Sequence, residues 1–231
     1  NELSMRLAYL EPVHDIRRDR ANVRQRIKSL DERVRRIGHI AVGPGRYARG
    51  RAYLSLSNPK AALTDLEAAW EHGQRGAEVS AALGRARSML YEQELRELGR
   101  RADSLTRQAR LQRMERELRE PALRELRAAS DDSSGEPMII AAELAYLEHR
   151  FDEVRRIAAQ VLAQDPARFE AHELVGRVEL SIGRELYHEG RHTQAEDSFV
   201  AAEQAFKAAL DVADTGYVME TGAISFSGHG K

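Results

Sequence analysis

The segment His188-Glu189-Gly190-Arg191-His192 carries residue types that could perform a reaction. The spacing His-Glu-x-x-His lets two imidazoles one helical turn apart hold zinc, with the glutamate as general base of a hydrolase. That chemistry needs one continuous helix, but Gly190 lies where a turn between two helices is expected. We therefore expect His188 and His192 to flank a chain reversal, and a zinc hydrolase is a distant alternative.

The sequence also lacks residues that several other kinds of reactive site require. The chain has no cysteine, which excludes disulfides, thiolate metal ligands and a cysteine nucleophile. Gly43-Pro44-Gly45 lacks the lysine and the serine or threonine of a phosphate-binding loop, so we expect a linker there. These observations predict no catalytic residues, no metal and no cofactor, and a chain that is not an enzyme.

The composition indicates helices and limits the classes of partner. Of the 231 residues, 42% are apolar and 6% aromatic, with many alanines and leucines, which favours helices over sheets. The formal net charge is -1, so bulk charge favours neither nucleic acid nor a membrane surface. The longest apolar run, from Met138, is about five residues, far short of a membrane span. We predict a cytoplasmic protein.

Residues 1–42 are predicted to form N-terminal helices. Pro12 separates a short leading helix from a helix of about 24 residues over 14–37, which Asp15 is expected to cap and Gly38 to end. The apolar residues of the long helix recur at spacings of three, four and seven and so lie on one stripe: Ile16, Val23, Ile27, Leu30, Val34 and Ile37.

A period of 34 residues organises the region 43–214. Gly50 and Gly84 are 34 residues apart, and so are Ala142 and Gly176, each inside an apolar helical pattern. A small residue at such a position lets a neighbouring helix pack closely. The pattern predicts pairs of helices joined by tight turns, and in the first pair Asn58-Pro59 is expected to begin the second helix.

The second helix pair is interrupted by an insertion at about 91–120. Its apolar residues keep three–four spacing up to Ala109 and resume in a shifted register from Leu111, which predicts an extended antiparallel helical hairpin. Glutamates intersperse its many arginines, so a solvated face is favoured over a nucleic-acid surface. Residues 215–231 alternate around a glycine after Tyr217, which predicts a short β-hairpin or an irregular tail.

The 34-residue period and its small residues resemble the tetratricopeptide repeat over about residues 44 to 210. The resemblance implies an all-α solenoid of helix-turn-helix units that binds other proteins. The sequence departs from the family where a large aromatic usually stands early in the first helix of each pair. The residues at those places are Arg46, Ser80, Met138 and His172.

The chain carries, in this order, the segments Leu10–Arg17, Gly43–Gly50, Leu66–Trp70 and Arg119–Leu123. Together they resemble the helical region that follows the catalytic domain in bacterial serine/threonine protein kinases. The resemblance implies a kinase domain upstream. The last twenty or so residues, from Ala209, resemble the tail of ATP-binding subunits of branched-chain amino-acid transporters. Because no phosphate-binding loop is present, we carry over no ATPase activity.

The concave wall of such a solenoid, formed by the first helix of each pair, supplies the partner-binding candidates. They are Tyr47, Arg51, Arg85, Glu143, Tyr146, Glu173 and Arg177. Arg51 and Arg85, one repeat apart and expected to face solvent, could grip a carboxylate or a phosphate.

Our leading hypothesis is a regulatory domain attached to a bacterial kinase, which binds a protein or peptide and is coupled to the kinase through the 14–37 helix. A free-standing scaffold or adaptor is the alternative, and the oligomeric state stays open.

Overall fold

A computed structural model of the chain describes residues 16–101, 104–130 and 137–220, and all regular structure in these ranges is helical. The all-α prediction is confirmed. The long helices are α1 (Ile16–Ile37), α2 (Val42–Ser55), α3 (Pro59–Glu71), α4 (Ala77–Arg101), α5 (Ser104–Met114), α6 (Glu120–Ser130), α7 (Pro137–Leu147), α8 (Phe151–Gln164), α9 (Phe169–His188) and α10 (His192–Glu220). A 3-10 turn (His39–Ala41) precedes α2, and a π-helical turn (Glu115–Arg119) joins α5 to α6.

These helices pack as pairs: α2 with α3, α4 with α6, α7 with α8, and α9 with α10. The second helix of each of the first three pairs also contacts the first helix of the next pair. First helices contact each other as well, α2 with α4 and α7 with α9. The four pairs therefore form one continuous stack.

Small residues allow the two helices of a pair to lie close together. A Cβ atom on Gly50 would lie 2.6 Å from Cγ of Leu66, and one on Gly84 would lie 2.7 Å from Cγ of Leu126. One on Gly176 would lie 2.7 Å from the ring of Phe206. Since real Cβ contacts are longer than this, the predicted close contacts are confirmed.

The start of α2 corrects one prediction. Gly43-Pro44-Gly45 is the first turn of α2 and not a linker. Proline is accepted there because the first turn of a helix has no carbonyl for its missing N–H to bond. The two glycines are buried: a Cβ on Gly43 would lie 3.0 Å from the carbonyl oxygen of His72, and one on Gly45 would collide with Val34.

The predicted cap of the following helix is confirmed. Oδ1 of Asn58 accepts a hydrogen bond from the backbone N–H of Ala61 at 3.3 Å, and Pro59 is the first residue of α3. The side chain thus satisfies one of the four backbone N–H groups that a helix leaves without an internal partner.

Helix α1 is tied to the first pair by apolar and by charged contacts. Its buried Val23 and Ile27 pack with Leu56 at the end of α2. Nη1 of Arg49 lies 2.5 Å from Oδ1 of Asp31 on α1. The helix ends at Ile37, and Gly38 follows with a φ of 88°, as predicted. The predictions for residues 1–15 lie outside the described residues.

The insertion forms the predicted antiparallel hairpin. Helix α4 continues to Arg101 and α5 returns beside it, so that Leu98 and Met114 are buried together. The hydroxyl of Tyr91 donates to Glu115 at 2.6 Å. A π-helical turn, which takes up one extra residue, follows Met114 at Glu115–Arg119.

The end of α10 corrects another prediction. Residues Tyr217–Glu220, assigned to a β-hairpin, form the last turn of α10. No proline after Pro166 interrupts α10. Each residue added to an existing helix gains a hydrogen bond, and this gain outweighs the strand preference that a short alternating pattern indicates. The rest of the predicted hairpin lies outside the described residues.

Candidate functional site

A cavity of about 500 Å³ runs along the first helices of the second, third and fourth pairs, α4, α7 and α9. The end of α2 and the turn before α3 border it with Leu54, Ser55, Ser57 and Pro59. Five of the seven partner-binding candidates line this cavity: Arg85, Glu143, Tyr146, Glu173 and Arg177.

Tyr47 and Arg51 lie on α2 and are not among the residues that line the cavity. The hydroxyl of Tyr47 lies 3.5 Å from a carboxylate oxygen of Glu78, and Arg51 is 5.8 Å from the centre of the Tyr47 ring. The first turn of α2 instead packs against α1 and the α3–α4 turn, where Gly45 lies against Val34 and Gly43 against His72. Arg51 and Arg85 therefore do not share a site at this cavity.

Arg85 already holds a carboxylate of the chain itself. Its Nε lies 2.8 Å and 3.1 Å from the two oxygens of Glu143. The side chain of Arg85 is 28% exposed and that of Glu143 is 15% exposed. The expectation that Arg85 faces solvent is therefore corrected: Glu143, one pair further along, covers much of its guanidinium.

Arg177 lies at the centre of the cavity wall. Its guanidinium stacks on the Tyr146 ring, 4.3 Å from the ring centre, and pairs with Glu92 on α4. Burial disfavours the charged form, but the carboxylates of Glu92 and Glu173 outweigh it and raise the pKa of Arg177. The hydroxyl of Tyr146 is 3.1 Å from that of Ser181. This cluster joins the second, third and fourth pairs.

Several lining residues were missed from the sequence. Glu92 and Arg96 follow Arg85 by two and three turns on α4, and Arg184 follows Arg177 by two turns on α9. The heptad spacing between Arg85 and Glu92, and between Arg177 and Arg184, is the signal that could have found two of them. Apolar side chains also line the cavity: Met89, Phe169 and Leu180.

The histidine motif has the predicted geometry. His188 is the last residue of α9, His192 is the first of α10, and Gly190 between them has a φ of 79°. The Tyr187 ring packs against His192, with 4.9 Å between ring centres. Among the described residues, no group of three or more histidine, cysteine or acidic side chains is arranged to hold a metal.

Comparison with known protein families and with curated proteins gives no match to this chain. In the part of the chain that the structure describes, none of the helices combines the length and the apolarity needed to cross a membrane.

Proposed function

We propose that this chain is a tetratricopeptide-type interaction domain whose cavity along α4, α7 and α9 binds a peptide segment of a partner protein. The observation that carries the proposal is the convergence of five wall residues, from three different helices, on one cavity. A cavity of about 500 Å³ is within the range that buries several side chains. Its wall combines an aromatic ring, apolar side chains and charges of both signs, which is the chemistry of specific peptide recognition.

The regulatory part of the proposal concerns the 14–37 helix. Four segments of the chain resemble the region downstream of bacterial serine/threonine kinase domains, and α1 is the first described helix. Because Asp31 and Arg49 link α1 to the first pair, a change in the stack can reach α1 through a direct contact. We propose that the domain regulates, or recruits substrates to, a kinase catalytic domain joined through this helix.

The coding sequence upstream separates this proposal from a free-standing scaffold or adaptor. A glycine-rich loop, a catalytic lysine and a His-Arg-Asp segment in the same reading frame would support the kinase. Their absence would leave the scaffold as the function to test.

Peptide binding is tested by selecting ligands for the purified chain from a phage-displayed random library. The affinity of the selected peptides is then measured by fluorescence anisotropy for Leu180→Arg, which places a bulky charge in the cavity. Val200→Arg is the matched control, since Val200 lies on α10, is 48% exposed and does not line the cavity. We expect binding to be lost only in Leu180→Arg, with the circular dichroism of both variants unchanged. Selected peptides that bind both variants as tightly as the parent chain would refute the cavity as the site.

A further inference from the structure

We infer that the peptide bound in this cavity carries an anionic side chain, held at the end of the cavity formed by Arg96 and Arg184. The inference rests on the proposed function and specifies the chemistry of its partner. It follows from which charges of the cavity wall are already neutralised within the chain and which are not.

Most of the charged side chains of the wall have partners inside the molecule. Arg85 is paired with Glu143, and Arg177 with Glu92. Nε of Arg168, just outside the cavity, lies 3.1 Å from a carboxylate oxygen of Glu170. These ion pairs hold the wall side chains in place. They also neutralise most of the charge in the middle of the cavity, so a bound partner contacts little net charge there.

Arg184 differs from these residues. It is exposed on the face of α9 that lines the cavity, two turns beyond Arg177. It forms no ion pair with any residue that the structure describes. A guanidinium in this position can offer its N–H groups to an incoming carboxylate or phosphate without first losing a partner.

Arg96 adds a second cation at the same end. Its side chain is 50% exposed, and its contact with Glu92 is long, 3.8 Å between Nη1 and Oε2. Arg177 also holds that carboxylate, so Glu92 is shared between two guanidinium groups, and Arg184 lies two turns beyond Arg177 on α9. The C-terminal ends of α4 and α9 therefore present excess positive charge to the cavity.

The rest of the wall shapes the partner further. Met89 and Leu180 lie between the arginine end and the opposite end, where Glu170 and Glu173 line the cavity. The wall thus fits one anionic group next to an apolar side chain, and the opposite end lines the cavity with carboxylates where a second anion would need a cation. A nucleic-acid backbone is a poor fit, because its row of phosphates would meet these carboxylates.

The test continues from the peptide selection with the full chain. Selected clones should be enriched in Asp or Glu relative to the unselected library, and binding should weaken as ionic strength rises. For the best clone, Arg184→Glu and Arg96→Glu should each weaken affinity by roughly tenfold, the effect of one lost charge-assisted hydrogen bond. Arg124→Glu is the matched control, a charge reversal on an exposed arginine of α6 outside the cavity.

The outcomes separate this inference from the proposed function. The selected peptides could lack an excess of Asp or Glu, and their binding could be abolished by Leu180→Arg but unchanged by Arg184→Glu. That result would overturn the inference and leave the proposed peptide binding intact. No cavity-dependent peptide at all would overturn both. Replacing the acidic residue of the clone by phosphoserine, and separately by glutamine, identifies the anion. Retained affinity for glutamine would contradict the inference, and tighter binding of phosphoserine than of the parent peptide would assign the site to phosphate.

Discussion

Asp65 is the residue that holds the charged network of the first pair together. Its side chain is 2% exposed and accepts hydrogen bonds from Nε and Nη2 of Arg49, both at 2.5 Å, and from Nη1 of Arg46 at 2.7 Å. The hydrogen bond to Asp65, with burial opposing it, raises the pKa of Arg49. Since Arg49 also binds Asp31, one buried carboxylate positions a guanidinium that joins three helices.

Replacing Asp65 by alanine should therefore be costly. Removing Asp65 leaves the half-buried guanidinium of Arg49 with Asp31 as its remaining carboxylate partner, and we expect the free energy of unfolding to fall by about 2 kcal/mol or more. Asp152→Ala is the control, because Asp152 is fully exposed and its ion pair with Arg155, at 3.1 Å, lies on the surface. That variant should unfold at nearly the same urea concentration as the parent chain, because exposed ion pairs contribute little to stability. Urea unfolding followed by circular dichroism measures both, and equal losses would contradict the role given to Asp65.

Two glutamates are expected to affect stability with opposite dependence on pH. Burial raises the pKa of Glu125 above its ordinary value of 4.5, against the opposing effect of Arg87, and one buried oxygen of Glu125 has no hydrogen-bond partner among the residues that the structure describes. The hydrogen bond from Arg150, aided by Arg127 and opposed by burial, lowers the pKa of Glu148. The first carboxylate is thus disfavoured in the folded state, and the second is favoured.

The glutamine variants reveal this difference. Glu148 has a lowered pKa in the folded state, so its contribution is complete above pH 4.5 and is lost as pH falls through the folded pKa. Glu148→Gln should be less stable than the parent at neutral pH and equal to it in acid. Glu125 has a raised pKa, so its charge costs stability once pH rises above 4.5. Glu125→Gln should therefore become more stable relative to the parent chain as pH rises above 4.5. Urea unfolding at several pH values measures this difference. Parallel pH profiles for the two variants would contradict the assignment.

At the scale of the elements, the sequence predicts helices well where apolar periodicity and capping residues agree. Helix α1 carries a long apolar stripe and α3 has the Asn58-Pro59 start, and both were located correctly. The errors at Gly43–Gly45 and Tyr217–Glu220 have one cause. Glycines and a short alternation indicate turns or strands locally, but packing and helix propagation decide the conformation.

The candidate site was predicted in part for a related reason. The 34-residue period places residues on a wall, so five lining residues were found without knowing any distance. The period does not predict which charged side chains contact each other. Glu92 and Arg177, for example, form an ion pair although they are 85 residues apart in the sequence. Glu92 and Arg96 were also assigned to the insertion at 91–120, yet α4 is one unbroken helix and its wall face continues past that boundary.

The contact between α4 and α6 depends on the absence of a side chain at Gly84. A Cβ there would lie 2.7 Å from Cγ and 3.0 Å from Cδ2 of Leu126, and 3.2 Å from the Ala122 carbonyl oxygen. Gly84→Leu should therefore reduce the free energy of unfolding by about 1–3 kcal/mol through overpacking. Ala128→Leu, on the exposed part of α6, is the control and should be nearly neutral.

A double-mutant cycle shows whether Leu126 is the obstacle. In a Leu126→Ala background the space is open, so Gly84→Leu should cost much less than it does in the parent chain. Equal costs in the two backgrounds would instead assign the strain to the backbone of α6 at the Ala122 carbonyl oxygen.

At the scale of the whole molecule, the Glu92–Arg177 pair is unusual for a stack of helix pairs. In such a stack each pair contacts its neighbours, and the overall bend follows from small rotations between them. This ion pair instead joins α4 of the second pair to α9 of the fourth, across the end of α7. Tyr146 on α7 fills the space beneath it. The cluster therefore restrains the bend of the stack directly.

Removing this restraint should change the distance between the ends of the stack. The absence of cysteine allows spin labels to be attached at cysteines introduced for Lys60 on α3 and Gln204 on α10, both exposed. In Glu92→Gln we expect the label-to-label distance distribution, measured by double electron–electron resonance, to broaden, because Arg177 loses its charged partner on α4. Glu94→Gln is the matched control: Glu94 lies two residues away but pairs with Arg110 inside the hairpin, at 3.0 Å. Its distribution should match that of the parent chain. If Glu92→Gln and Glu94→Gln give the same distribution, neighbour packing alone sets the bend, and the pair serves only to hold Arg177 in place on the cavity wall.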